Sequence, residues 1–142
     1  MNILEQDKKA KDALIKASAW EINIDIIAKI SHAVNEIYSE SFGEDKKTWE
    51  DAEKWQRDIF YDIVRFYIKN PFADASTRHN CWLDQRLKSG WKYAPIKDRK
   101  KKKSPYIKPF EELSNKQQIK GVMLCDVVKS LIKVLSNLVI GE

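Results

Sequence analysis

Glycine and proline are scarce in this 142-residue chain, four of each, and all four prolines fall between Pro71 and Pro109. With so few breakers elsewhere, two long helical blocks are expected to flank one irregular centre. Cysteine is scarcer still. Cys81 and Cys125 lack C-x-x-C spacing and the density of a secreted scaffold, so free thiols in a reducing compartment are expected. No stretch approaches about 18 uncharged apolar residues, and the start, MNILEQDKKAKDALIK, has no apolar core of a leader. A soluble cytoplasmic protein without a membrane partner is the expectation. Motifs of catalysis are missing as well: no H-E-x-x-H, Walker loop, G-x-S-x-G or glycine-rich phosphate loop occurs.

What is present argues for a packed core. Hydrophobic residues make up 43%, with five Trp, five Tyr and five Phe, too many for a disordered chain. The net charge of +5 is local rather than general. Residues 97–103, KDRKKKK, carry six cations and one anion, and the other residues balance at 20 against 20. Attraction for an anion is therefore confined to one place.

Residues 3–19 alternate charged and small side chains and fit a helical extension, giving an expected division into 1–24 and 25–142. Asp25 is a candidate cap for a helix with the stripe Ile26, Ile30, Val34 and Ile37, closed by Gly43. Thr48 precedes a second helix from Trp49, with Trp55, Ile59, Ile63 and Phe66 or Tyr67 in its stripe, stopped at Asn70-Pro71. Ser76 is placed to cap a third helix that Gly90 ends in a left-handed conformation. Trp91–Tyr93 and Tyr106–Lys108 are short strand candidates, expected to pair as a hairpin around the lysine run. Ser114 and Gln117 form a capping box for the last helix, with Ile119, Val122, Met123, Val127, Leu131 and Leu135 inward. The expected class is mainly α with a small two-stranded β hairpin, in one compact domain.

Catalysis has little to stand on. His79 and Cys81 are two apart on a helix and diverge by roughly 200°, which excludes a nucleophile–base pair. No catalytic residue, metal site or cofactor is expected. The aromatic residues say more. His79, Trp82 and Arg86 share one helical face, and Trp91 and Tyr93 share a face just after Gly90. Taken alone, Trp82 and Trp91 are better explained as core packing, with His79 hydrogen-bonded to backbone, and Lys100–Lys103 as a solvated loop. Read together, however, the rings offer a plane for a base and the cations a seat for phosphates. Four adjacent lysines also suit nucleic acid, although no recognition-helix or zinc-finger pattern accompanies them.

The order W-E-D-A-x-x-W-Q-R (Trp49 to Arg57), N-P (Asn70, Pro71) and H-x-x-W (His79, Trp82) resembles the RyR domain. This repeat takes its name from the ryanodine receptor calcium channels and also occurs as stand-alone bacterial and phage proteins. The resemblance continues through L-K-S-G-W-K-Y-A-P-I-K-D (Leu87 to Asp98), K-x-x-P-x-x-K-P-F (Lys102 to Phe110) and L-S-x-x-Q (Leu113 to Gln117). It spans roughly residues 26–135. Ala94 stands where glycine is usual, and Ser104-Pro105-Tyr106 replaces His-Pro-Cys.

The resemblance implies a helical domain with a small β element. In the channels the Trp of the Gly-Trp-x-Tyr motif, here Trp91, stacks on adenine. The function expected is thus non-enzymatic binding of an adenine nucleotide or an NAD-derived or cyclic nucleotide signal, in the host cytoplasm if phage-encoded. The expected site has Trp91 as stacking plane and Tyr93 and Trp82 as walls. Arg86, Lys97 and Lys103 are placed as phosphate partners, with His79 and Asp98 positioning them. The alternatives are a homo-oligomerising or docking domain, and non-specific nucleic-acid binding through residues 97–103.

Overall fold

The structure, a computed structural model, describes residues 2–140, and all of their side chains except those of residues 17, 18 and 137–140. It contains helices α1 (Ile3–Glu40), α2 (Lys54–Lys69), α3 (Ala75–Lys88) and α4 (Asn115–Ile140). Strands β1 (Lys92–Tyr93) and β2 (Lys103–Ser104) follow α3, and a 3₁₀ turn at Phe110–Glu112 precedes α4. The class is mainly α with a small β element, as expected. Contacts divide between an N-terminal unit, up to Lys69 with the chain from Val127 onward, and a middle unit, Asn70–Asp126.

In the N-terminal unit, α1 runs unbroken through the boundary expected at 24/25. No glycine or proline interrupts residues 2–42, and the cap lies at Asn2. Its side chain accepts from the Glu5 N–H at 2.8 Å, while the Glu5 carboxylate accepts from the Asn2 N–H at 3.1 Å. Asp25 is therefore a mid-helix residue rather than a cap. It accepts a short hydrogen bond from the Tyr61 hydroxyl and pairs with Lys29 at 2.9 Å. The bond to Tyr61 is the main reason the Asp25 carboxyl is held below its ordinary range. The same bond pushes the Tyr61 phenol up to about 12.

The buried row of α1 is also not the expected one. Ile24, Ile27, Ala28 and Ser31 are buried, whereas Ile26, Ile30 and Ile37 are exposed. Two apolar rows run along this helix, and α2 covers only one. Phe60, Ile63, Val64 and Tyr67 of α2 and Val128 of α4 complete the core of this unit.

α2 starts at Lys54, not Trp49, because Thr48–Ala52 closes a turn of its own. The N–H groups of Asp51 and Ala52 both donate to the Thr48 carbonyl, at 3.2 and 2.9 Å. The Gln56 side chain then accepts from the Glu53 N–H at 2.9 Å and so begins the helix one turn later. Gly43 and Asn70-Pro71 act as expected: Gly43 takes a φ of +76° after α1, and α2 stops at Lys69.

In the middle unit, Asp74 rather than Ser76 caps α3, accepting from the Thr77 N–H at 2.8 Å. Ser76 lies inside the first turn and donates instead to Glu111 at 2.8 Å. The end of α3 is a complete Schellman motif. Gly90, at φ +89°, donates to the Leu87 carbonyl at 3.1 Å, and Trp91 donates to the Arg86 carbonyl at 3.0 Å.

The expected hairpin is replaced by a parallel pair. Lys92 lies opposite Lys103 and Tyr93 opposite Ser104, so residues 106–108 take no part. The reversal that makes this possible is a tight loop in which Asp98 and Lys103 exchange both backbone hydrogen bonds at 2.9 Å. Further along, Ser114 accepts from the Gln117 N–H at 3.3 Å, one half of the expected box, while the Gln117 side chain donates to the Tyr106 hydroxyl. The buried row of α4 is Leu124, Cys125 and Val128, and Ile119 and Val122 of the expected stripe are exposed.

Gly90→Ala places a side chain on a left-handed backbone, although its Cβ would meet no neighbouring atom. The expected loss is about 1–2 kcal/mol in urea unfolding, with Gly90→Asn losing less. An unchanged midpoint for Gly90→Ala would show that the turn does not require this conformation.

Candidate functional site

The Schellman turn decides where Trp91 goes. Directing its N–H back to Arg86 turns the indole inward, where it packs with Leu83 and Ile107, with Trp82 half-buried against that cluster. Trp91 keeps only 8% of its surface exposed. Its face is already occupied, because the Arg86 guanidinium lies 5.1 Å from the Trp91 ring centre and 5.5 Å from that of Trp82. A cation between two indoles is a favourable cation–π arrangement. The expectation of an open stacking plane at Trp91 is therefore corrected: the ring is a core residue, and a base would have to displace Arg86 to reach it.

Tyr93 is different. Two residues further along the strand it is 54% exposed. The ammonium of Lys108 sits 5.6 Å from its ring centre, so a plane and a positive charge adjoin at the surface. The parallel register also sets Lys92 and Lys103 side by side on one face of the two strands. Both are exposed. Like charges directly opposite one another destabilise a strand pair; Asp98 faces Lys103 on its other side, and a further anion between the two lysines would offset the rest of that cost.

The lysine run is more ordered than a solvated tail. Asp98 builds its loop, accepting from the Lys101 N–H at 3.1 Å in addition to its bonds with the Lys103 backbone. Lys102 takes a φ of +55°, and its ammonium donates to the Ser89 carbonyl at 3.0 Å, at the C-terminal end of α3. A cation there complements the negative end of the helix dipole. Lys97 is exposed on the approach to this loop.

His79 is half-buried between Trp82 and Phe110, with ring centres 5.3 and 6.1 Å away. Its Nε2 lies 2.8 Å from the Lys108 carbonyl, to which the neutral ring donates. Burial holds its pKa below the usual imidazole value, outweighing the hydrogen bond that favours charge. His79 thus fixes the backbone of Lys108, the residue whose ammonium faces Tyr93. Sequence reasoning missed Lys92 and Lys108: Lys92 meets Lys103 only in the parallel register, and Lys108 reaches Tyr93 from a segment outside the strand pair, held by His79. The structure brings Trp82, Arg86 and Trp91 together as packing, leaves Tyr93 and Lys103 at the surface, and gives His79 and Asp98 structural bonds.

The chain belongs to the RyR domain family, which matches residues 67–139, just over half of its length. The match takes in the H-x-x-W, Gly-Trp-x-Tyr and L-S-x-x-Q segments, and starts after the Trp49–Arg57 stretch. The chain matches no curated protein and no solved structure.

A second histidine, His32, is buried against Trp49 and Phe60, at 5.5 and 5.1 Å, and burial also lowers its pKa despite the nearby Glu36 and Glu50. Both imidazoles bind protons more weakly in the folded chain than in the unfolded one. Their contribution to stability is complete above the unfolded value, about 6.5, and is lost as pH falls through that value towards the folded one. The thermal midpoint is expected to drop between about pH 7 and pH 5. His79→Gln and His32→Gln should each flatten that slope. A slope identical to the parent's in both variants would show that other groups carry it.

Proposed function

We propose that the middle unit is a non-enzymatic binding module for a small ligand with a planar ring and phosphates. The class is an adenine nucleotide or an NAD-derived or cyclic nucleotide signal. The observation that carries this reading is the exposed Tyr93 ring with the Lys108 ammonium over it, a single cation at the surface rather than one enclosed between two rings as Arg86 is. The ring supplies a surface for a base, and the ammonium supplies the counter-charge within reach of the first phosphate. Lys92 and Lys103 extend the positive field around the same short strand pair. In this reading Tyr93, not Trp91, is the contact plane. Arg86 and Trp91 hold the strand that presents it, and Asp98 and His79 hold the two cationic segments.

Non-specific nucleic-acid binding through residues 97–103 is less well supported by this geometry. The loop is closed by the Asp98–Lys103 bridge, and the Lys102 ammonium is engaged at the end of α3. A strand-tracking groove would need cations and rings in succession.

Calorimetric titration with ATP, ADP-ribose, NAD and cyclic dinucleotides tests the reading. Binding by at least one of them is expected, weakened about tenfold or more in Tyr93→Ala, since a stacked base contributes roughly 1–3 kcal/mol. Trp91→Ala should instead lower stability by about 3–5 kcal/mol, the cost of emptying a core site. Absence of binding below about 1 mM for all four ligands would refute the function. Binding that Tyr93→Ala leaves unchanged would refute the site. Affinity for single-stranded DNA that collapses with salt would favour the nucleic-acid reading instead.

A further inference from the structure

The first four turns of α1 cover nothing and are covered by nothing: every residue from Asn2 to Lys16 is exposed. Yet this segment is not uniformly polar. Ile3, Leu4, Leu14 and Ile15 are exposed at 75%, 79%, 69% and 66%. At about 100° per residue, these four share an arc of roughly 120° with Asp7 and Lys11, which lie between the two apolar pairs. Lys9, midway along, points to the opposite side of the helix.

That arrangement is complementary to itself when reversed. In an antiparallel pairing of two copies about a two-fold axis at Lys9, residues equidistant from Lys9 come to the same height while each side chain keeps to its own flank of the arc. Ile3 then meets Leu14 along one edge, and Leu4 meets Ile15 along the other. Asp7 of one copy meets Lys11 of the other, twice by symmetry. A parallel pairing in register would instead set Asp7 against Asp7 and Lys11 against Lys11. We infer that the N-terminal half of α1 is an antiparallel homodimerisation surface, centred on Lys9, in which four apolar contacts flank two Asp7–Lys11 ion pairs. Such an isologous contact closes on itself and leaves no free face for further growth. The occupant is a second copy of this chain because the segment supplies both halves of every contact, apolar and charged.

Sedimentation equilibrium of the full chain tests this, with circular dichroism as a check on helix content. The parent protein should be dimeric. Asp7→Lys alone and Lys11→Asp alone each turn two attractive contacts into two repulsive ones and should weaken the dimer about tenfold. Asp7→Lys combined with Lys11→Asp restores both pairs and should regain the parent affinity. Leu4→Asp with Leu14→Asp should give a monomer of unchanged fold, because none of these side chains is buried in the single chain. A parent protein that stays monomeric to about 1 mM would overturn the inference. So would a charge-swapped double variant that dimerises no better than either single one. Capture of a monomeric parent by anionic phospholipid vesicles would assign the face to a lipid surface and would likewise overturn it.

Discussion

The left-handed turn at Gly90 is the constraint on which the middle unit depends. It closes α3 with two backbone hydrogen bonds, and in doing so points the next residue, Trp91, into the core against Leu83 and Ile107. The Arg86 side chain returns over that indole from the helix's last turn. With one backbone reversal, the chain thus ends a helix, seats its largest core side chain and launches β1 in a fixed direction. Trp91 is sealed while Tyr93, two residues further along, is exposed.

Several elements were legible from residue type alone because their causes are local. Gly90, Gly43, Asn70-Pro71 and Ser114 act through the backbone of their immediate neighbours, and all four behave as their chemistry dictates. The elements that escaped depend on contacts distant in sequence. The parallel register of β1 and β2 follows from the Asp98–Lys103 bridge, which no spacing announces. α1 carries two apolar rows, and the row that α2 covers is a matter of packing, not of pattern. The burial of Trp91 belongs to the same class. A tryptophan just past a helix cap has the same sequence signature whether its ring is sealed or open.

That distinction reshapes the reading of the family motif. The Gly-Trp-x-Tyr segment lies within the matched RyR domain, and in this chain its Trp and Tyr have separated roles, one structural and one at the surface. The cationic residues also divide. Lys102 holds the loop together with Asp98, His79 fixes the backbone that positions Lys108, and Lys103 lies between Lys92 on one side and Asp98 on the other. The excess positive charge of the chain is therefore concentrated around one short strand pair, which also carries the exposed Tyr93 ring. The N-terminal helix has a different kind of surface, apolar and charge-balanced.

The most direct measurement is an amide and indole ¹H–¹⁵N spectrum recorded while ATP or ADP-ribose is added. The backbone signals of Lys92, Tyr93, Lys103 and Lys108 should move first and furthest, with the indole N–H signals of Trp91 and Trp82 nearly still. Largest shifts at the Trp91 indole, with Tyr93 and Lys108 silent, would contradict the assignment of the ligand to the surface ring.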